Sequence, residues 1–171
     1  MDSFSRPASL EDLKNLLRSL NDRGADYLLI GGYALAAHGY QRATIDIDLL
    51  VPATSQAGAK VKEALMILPD RAARDIDPAW FEEGENIRVA DAIVVDLMLN
   101  ANGQTYESLE RFGITIDLEG IPVRTVSLEG LLLTKQTMRD KDTQDRIIIE
   151  RAIEVSRHGA PVRKGSGDDE S

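Results

Sequence analysis

The stretch LLIGGYALAAHGYQRATIDIDLLVP, residues 28–52, decides the fold of this chain. It begins with an apolar run that ends at Gly31-Gly32, and a short alanine-rich segment follows as far as Gly39. The stretch closes on a second apolar run that carries Asp46 and Asp48. This pattern predicts a strand, a short helix, a turn and a second strand.

The second strand separates its side chains by chemistry. Because successive strand side chains point to opposite faces, Asp46 and Asp48 share one face with Leu50. The other face is wholly apolar and consists of Ile45, Ile47, Leu49 and Val51. Two carboxylates on one face are a candidate site for a divalent cation, because Mg²⁺ takes oxygen ligands, commonly one or two carboxylates together with substrate phosphates.

The glycine pair adds a candidate phosphate site. A Gly-Gly turn between a strand and a helix lets the backbone approach a ligand closely, and the helix N-terminus offers N–H groups to an anion. Phosphates at Gly31-Gly32 would be bridged by the metal to Asp46 and Asp48. The residues therefore predict nucleoside triphosphate (NTP) chemistry.

The composition fits a globular protein of one domain. The chain has 171 residues, 43% of them hydrophobic and 29% charged, and it has no cysteine for a disulfide or a thiolate metal site. Nothing resembles a secretory signal or a run of about 18 apolar residues, so we expect a cytoplasmic protein without a membrane segment. The net charge of −9 argues against broad electrostatic binding to nucleic acid, although it permits a local basic patch.

The flanking sequence alternates helix and strand patterns. We predict a helix from Ser9 to Gly24, a helix over Ser55–Leu68, and a hairpin of Ile114–Leu118 and Ile121–Val126 across Glu119-Gly120. A further helix is predicted over 127–139, and Trp80 and Phe81 are expected in a small apolar cluster. These elements predict an α+β (mixed α/β) fold, with one domain over residues 9–158 and a disordered tail over 159–171.

Asp96 is the second informative carboxylate. It lies in the strand pattern IVVDLML, residues 93–99, where a lone carboxylate is costly unless it is paired, hydrogen-bonded or bound to metal. Two interpretations follow: an ion pair with a neighbouring basic residue, or a third metal ligand beside Asp46 and Asp48.

Gly31-Gly32, the short helix and Asp46-Ile47-Asp48-Leu49 together resemble the signature of the polymerase-β-type nucleotidyltransferase superfamily. More narrowly, the chain resembles small bacterial nucleotidyltransferases related to the abortive-infection type IV toxins, and this resemblance covers roughly residues 10–157. It implies a mixed sheet flanked by helices with further C-terminal helices. It also implies Mg²⁺ or Mn²⁺ held by Asp46, Asp48 and Asp96.

The resemblance extends to other candidate residues. Tyr33 fills a position where many relatives carry Ser or Thr, and Arg42 and Thr44 lie just ahead of the aspartate strand, where Arg42 is either a phosphate ligand or a surface arginine. The run Lys135, Arg139, Lys141, Asp142 and Asp145 resembles one in the toxin-like branch. There the lysine faces the nucleotide phosphates, which assigns a catalytic and nucleotide-binding role to Lys135 and a nucleotide-binding role to Asp142; an N-cap is the alternative for Asp142.

The predicted activity is transfer of a nucleoside monophosphate (NMP) from an NTP to an acceptor hydroxyl. The acceptor is an RNA end, a protein or a small molecule, with tRNA or protein favoured by the resemblance, and an antitoxin protein is a candidate partner. The alternative is a catalytically silent binding module of the same fold. A phosphohydrolase or nuclease is a third interpretation, which fits the Gly-Gly turn less well.

Overall fold

A computed structural model describes residues 5–40, 46–135 and 140–157, with the backbone alone for 140–145. In this part of the chain six strands form one sheet: β1 (Leu28–Ile30), β2 (Ile47–Leu50), β3 (Ile87–Ala90), β4 (Val94–Met98), β5 (Gly113–Leu118) and β6 (Ile121–Val126). The helices are α1 (Leu10–Asp22), α2 (Gly32–Ala37), α3 (Ser55–Leu65), α4 (Tyr106–Leu109), α5 (Leu128–Leu133) and α6 (Asp140–Arg157). Short 3₁₀ helices lie at Ala72–Asp75, Pro78–Glu83 and Glu110–Phe112.

The strand order in the sheet is β3-β4-β2-β1-β6-β5. The pairs β2·β4 and β1·β6 are parallel, whereas β1·β2, β3·β4 and β5·β6 are antiparallel. The sheet is therefore mixed and is accompanied by helices, which confirms the predicted fold class. The predicted hairpin across Glu119-Gly120 is formed by β5 and β6.

Helix α1 begins and ends where the sequence predicts. The Ser9 hydroxyl accepts the backbone N–H of Asp12, and the Asp12 carboxylate accepts the backbone N–H of Ser9, which makes a complete capping box. Buried leucines of α1 pack into the core, and Gly24 follows the helix with a φ of +64°. A left-handed residue after a helix favours glycine, so the chain turns there towards β1.

The segment 86–100 contains two strands where the sequence pattern showed one informative strand. The turn between β3 and β4 holds Asp91, whose buried carboxylate accepts the backbone N–H groups of Asp70, Ala72 and Ala92 at 2.7–2.9 Å. These bonds join the turn to the distant loop before the Ala72–Asp75 3₁₀ helix. A turn that is held by such a contact needs neither Gly nor Pro, which is why it is difficult to recognise in sequence.

Of the two aromatic residues predicted to lie in a small apolar cluster, only Phe81 is buried. Phe81 is fully buried, and it packs so closely on α3 that a Cβ at Gly58 would lie 2.5 Å from its ring. Trp80 is 42% exposed, so the expectation that it lies in the core is wrong. Both residues lie in the Pro78–Glu83 3₁₀ helix, and its packing directs only one of the two neighbouring aromatic side chains inward.

Two helices are shorter than predicted. The α3 helix ends at Leu65, although Leu68 is still buried. The α5 helix ends at Leu133, because the N–H and the hydroxyl of Thr134 both donate to the Leu131 carbonyl and tighten the last turn. The predicted tail, 159–171, lies outside the described residues, and the single-domain boundaries stay a prediction.

Candidate active site

Strands β2 and β4 bring two of the predicted carboxylates together. Their parallel register pairs Asp48 with Asp96, so the two side chains leave the same face of the sheet from strands about 4.8 Å apart. Both side chains are half-buried at the surface of the sheet, whereas Ile47, Leu49, Val95 and Leu97 are fully buried on the opposite face. The alternation that the sequence predicted for both strands therefore holds in the structure.

Gly31 lies directly against the Asp48 carboxylate. Register pairs Ile30 with Asp48, and Gly31 follows as the N-cap of α2 with φ +77° and ψ −159°, a backbone region used almost only by glycine. A Cβ at this position would lie 2.3 Å from Asp48 Oδ2. The turn before α2 and the carboxylate on β2 therefore form one continuous surface.

Arg88 connects Asp96 with the third predicted carboxylate. It is the antiparallel partner of Asp96, and its Nε and Nη2 bond Asp96 Oδ1 and Oδ2 at 3.1 and 3.3 Å. The same Nη2 reaches Asp46 Oδ2 at 3.4 Å. The side chains of Asp46 and Asp96 are 28% and 17% exposed, and that of Arg88 is 62% exposed. Asp46, Asp48 and Asp96 thus belong to one cluster with a guanidinium at its edge.

Arg88 does not stand out in the sequence as a site residue. An ion pair with a basic neighbour is one of the two interpretations of Asp96, and the structure shows such a pair. The available signal was a single arginine in the short alternating run Ile87–Ala90. Its partner becomes visible only when the register of β3 against β4 is known.

The donor chemistry of the cluster fits a hard divalent cation. Carboxylate oxygens from three aspartates, next to an anion-compatible glycine turn, are the ligands that Mg²⁺ and Mn²⁺ prefer. Among residues 5–40, 46–135 and 140–157, however, no three acidic or histidine side chains are arranged around one metal position. Arg88 contributes a positive charge to the described cluster.

Two residues beside the glycine turn have packing partners. The Tyr33 side chain is buried, its hydroxyl donates to the Ala8 carbonyl, and burial raises the pKa of this phenol. His38 Nε2 donates to the Val126 carbonyl at 2.8 Å, so this imidazole joins the end of α2 to β6. A nucleotide contact from Tyr33 stays a prediction.

The remaining predicted residues are described only in part. Lys135 is half-buried and follows α5 in a turn, with its backbone N–H donating to the Leu132 carbonyl. The expectation that it lies within a helix continuing to residue 139 is therefore wrong. Asp142 is the third residue of α6, and its side chain, like all of Arg42 and Thr44, lies outside what the structure describes.

The fold is similar to that of a solved structure. This structure is a proposed nucleotidyltransferase from Thermotoga maritima, and the TM-score is 0.50. The two chains are 12% identical over 87% of this chain and 89% of the other, so the likeness is one of fold. No curated protein sequence matches this chain.

Family membership follows from the sequence match. The model of the AbiEii family, the nucleotidyl transferase toxin of a type IV toxin-antitoxin system, matches residues 14–141. The chain therefore belongs to the AbiEii nucleotidyltransferase family. In the described part of the chain no helix combines the length and the apolar character that crossing a bilayer requires.

Proposed function

We propose that this protein is a metal-dependent nucleotidyltransferase that moves an NMP from an NTP to an acceptor hydroxyl and releases pyrophosphate. The observation that carries the proposal is the pairing of Asp48 with Asp96 beside Gly31, with Asp46 joined to the cluster through Arg88. Membership of the AbiEii family supports the same class of reaction.

The triphosphate is assigned to the turn at Gly31-Gly32. The backbone N–H groups of Gly32 and Tyr33 begin α2, and the start of a helix offers such groups to an anion. Because residue 31 has no side chain, a phosphate at this turn would also lie against the Asp48 carboxylate. This proximity is what a phosphate bridged to a carboxylate by a cation requires.

Asp46, Asp48 and Asp96 are assigned as ligands of Mg²⁺ or Mn²⁺. When bound, such an ion offsets phosphate charge and makes an acceptor hydroxyl easier to deprotonate. Asp96 lies on β4, next to β2 and away from the glycine turn in the strand order. We therefore assign Asp96 to the acceptor side, where its carboxylate orients the hydroxyl and assists removal of its proton.

Four further residues are assigned to the nucleotide. Lys135 offsets the negative charge that develops on the departing pyrophosphate, since a lysine ammonium can approach phosphate oxygens from several directions. Asp142 is assigned to a nucleotide contact on the resemblance of its position to the toxin-like branch. Arg42 and Thr44 are assigned to nucleotide contacts because they lie just ahead of the aspartate strand, where a guanidinium can pair with phosphate oxygens. Each of these roles is a separate hypothesis.

The proposed biological role is that of a cytoplasmic toxin with an antitoxin protein as partner. A tRNA end or a protein hydroxyl is the favoured acceptor, since the family comprises type IV toxins. One observation favours a second candidate, a silent binding module. Arg88 already pairs with carboxylates of the cluster, as it would in a protein that no longer binds metal.

The decisive experiment is transfer of label from α-labelled NTPs with Mg²⁺ or Mn²⁺, using tRNA and total protein as acceptors. Wild type is compared with Asp48→Asn and with Asp117→Asn. The second variant alters an exposed carboxylate on the edge strand β5, away from β2 and β4 in the strand order. We expect transfer by wild type and Asp117→Asn, and none by Asp48→Asn. Nucleotide binding without transfer to either acceptor would favour the silent module.

A further inference from the structure

We propose that Arg88 is the counter-ion of the carboxylate cluster in the metal-free protein, so that a divalent ion binds by displacing its guanidinium. The inference rests on the proposed function, because it requires that the carboxylate cluster binds metal. It assigns a positioning role to a residue outside the glycine turn and the aspartate pair.

The first argument is the identity of the bonded oxygens. Arg88 contacts both carboxylate oxygens of Asp96 and Oδ2 of Asp46. A divalent ion bound by Asp96 would use an oxygen that Arg88 contacts, and a guanidinium and a metal cannot occupy the same space. The two cations therefore compete for one set of ligands.

The second argument concerns charge. Three carboxylates in one cluster repel each other, and each is stabilised by an opposite charge nearby. Arg88 provides this charge without metal, and its planar fork suits two oxygens of one carboxylate. The cluster therefore stays assembled, and Asp96 keeps its orientation, before any metal arrives.

The third argument is that Arg88 is able to leave. Its side chain is 62% exposed, and in the part of the chain that the structure describes β3 is the outermost strand, paired with β4 alone. Exposed ion pairs are weak, so a guanidinium held mainly by such pairs exchanges at small cost. A buried arginine in the same place would block the metal instead of yielding to it.

If Arg88 competes with the metal, replacing it should change two quantities in opposite directions. The affinity for metal should rise, and the stability of the metal-free protein should fall. An arginine that only supports the fold would give weaker or unchanged metal binding when replaced. The direction of the change in metal affinity thus separates the two roles.

The test is titration of Mn²⁺ followed by the electron paramagnetic resonance signal of the free ion, with and without a non-hydrolysable NTP analogue. The variants are Arg88→Gln, Arg88→Lys and Arg111→Gln. Arg111 is an exposed arginine beside β5, at the opposite edge of the sheet, and its replacement removes the same charge. Arg88→Lys keeps the charge but loses the two-pronged contact, so it separates direct competition from long-range repulsion of the metal ion by the positive charge.

We expect Arg88→Gln to bind Mn²⁺ about fivefold more tightly than wild type. Arg88→Lys should show part of this gain and Arg111→Gln almost none, and thermal unfolding without metal should occur at lower temperature in Arg88→Gln. Equal or weaker Mn²⁺ binding by Arg88→Gln overturns the inference but leaves the proposed function intact. Absence of binding to wild type and all variants, with and without the analogue, overturns both.

Discussion

Gly31 and Asp48 approach so closely that a Cβ on the glycine would lie 2.3 Å from Oδ2 of the aspartate. The glycine that follows β1 and the carboxylate on β2 therefore have no room for a side chain between them. This contact joins the proposed phosphate-binding turn to the proposed metal ligand. A change at either residue is expected to affect the position of the other.

Gly31→Ala tests this contact. We expect about a hundredfold loss of transfer rate, because the methyl group displaces the Asp48 carboxylate, and a stability loss of about 2 kcal/mol from the glycine-only backbone conformation. The matched control is Gly24→Ala, since Gly24 has a φ of +64° but no atom within 4 Å of its Cβ position. It should lose about 1 kcal/mol and keep its activity. Label transfer and urea denaturation measure the two effects, and equal activity of both variants would contradict the prediction.

Asp91 is predicted to matter for stability. Asp91→Ala leaves the N–H groups of Asp70, Ala72 and Ala92 without their acceptor, so we expect a loss of about 3 kcal/mol. Asp91→Asn retains an acceptor oxygen and should lose less. Asp75→Ala, at an exposed neighbouring position, should change stability by no more than about 0.5 kcal/mol. Chemical denaturation compares the three variants, and similar losses at Asp91 and Asp75 would refute the role of the turn.

Asp12 is predicted to give a pH-dependent contribution. Its hydrogen bond from Arg6, together with those from Ser9, holds the pKa of this carboxyl well below its usual range. Because the folded-state pKa is depressed, the contribution is complete above the unfolded pKa of about 3.9 and is lost as the pH falls below it. Asp12→Ala should therefore be about 1 kcal/mol less stable than wild type from pH 5 to pH 8, with the difference shrinking below about pH 4.

The measurement for Asp12 is urea denaturation of both proteins across this pH range. Glu11→Ala is the control, because Glu11 lies in the same helical turn but makes no part of the capping box. A wild-type advantage over Asp12→Ala that stays constant down to pH 2 would count against the ionised carboxylate as its source.

The contact of Gly58 with Phe81 predicts a rescue. Gly58→Ala places a methyl group 2.5 Å from the Phe81 ring, and overpacking of this kind costs about 1–3 kcal/mol. Phe81→Leu alone should also destabilise the protein by removing buried ring atoms. In the double variant the smaller side chain makes room for the methyl group. The stability loss of the double variant should therefore be smaller than the sum of the losses of the two single variants. Strict additivity in a double-mutant cycle would show that the two residues are independent.

Much of the fold followed from local pattern. The capping box at Ser9, the Glu119-Gly120 hairpin and the alternation around Asp48 and Asp96 are short-range signals, and the structure shows each of them. The exposure of Trp80 was not predicted, because hydrophobicity alone does not say which of two adjacent aromatic residues faces a helix. The end of α5 was also missed, because a threonine side chain bonding its own helix competes with an otherwise helical pattern.

The candidate site was predictable in its acidic residues but not in its basic one. Asp46, Asp48 and Asp96 are conspicuous because carboxylates in apolar strands need an explanation. Arg88 is ordinary in sequence, since an arginine on an edge strand is usually solvated. Its importance depends on the β3·β4 register and on the β2·β4 pairing, and no local pattern encodes either of these long-range arrangements.

The pairing of Leu29 with Thr125 determines how late in translation the sheet can be completed. The Thr125 hydroxyl donates to the Leu29 carbonyl at 2.6 Å across 96 positions of sequence, and this parallel contact attaches the late hairpin to the centre of the sheet. Non-local parallel pairing slows folding, commonly to about milliseconds to seconds, and a ribosome adds only about 5–20 residues each second. Strands β2 and β4 therefore leave the ribosome well before the hairpin that completes the sheet. A growing chain is expected to carry its acidic cluster in an unfinished sheet for several seconds, until the hairpin pairs with β1.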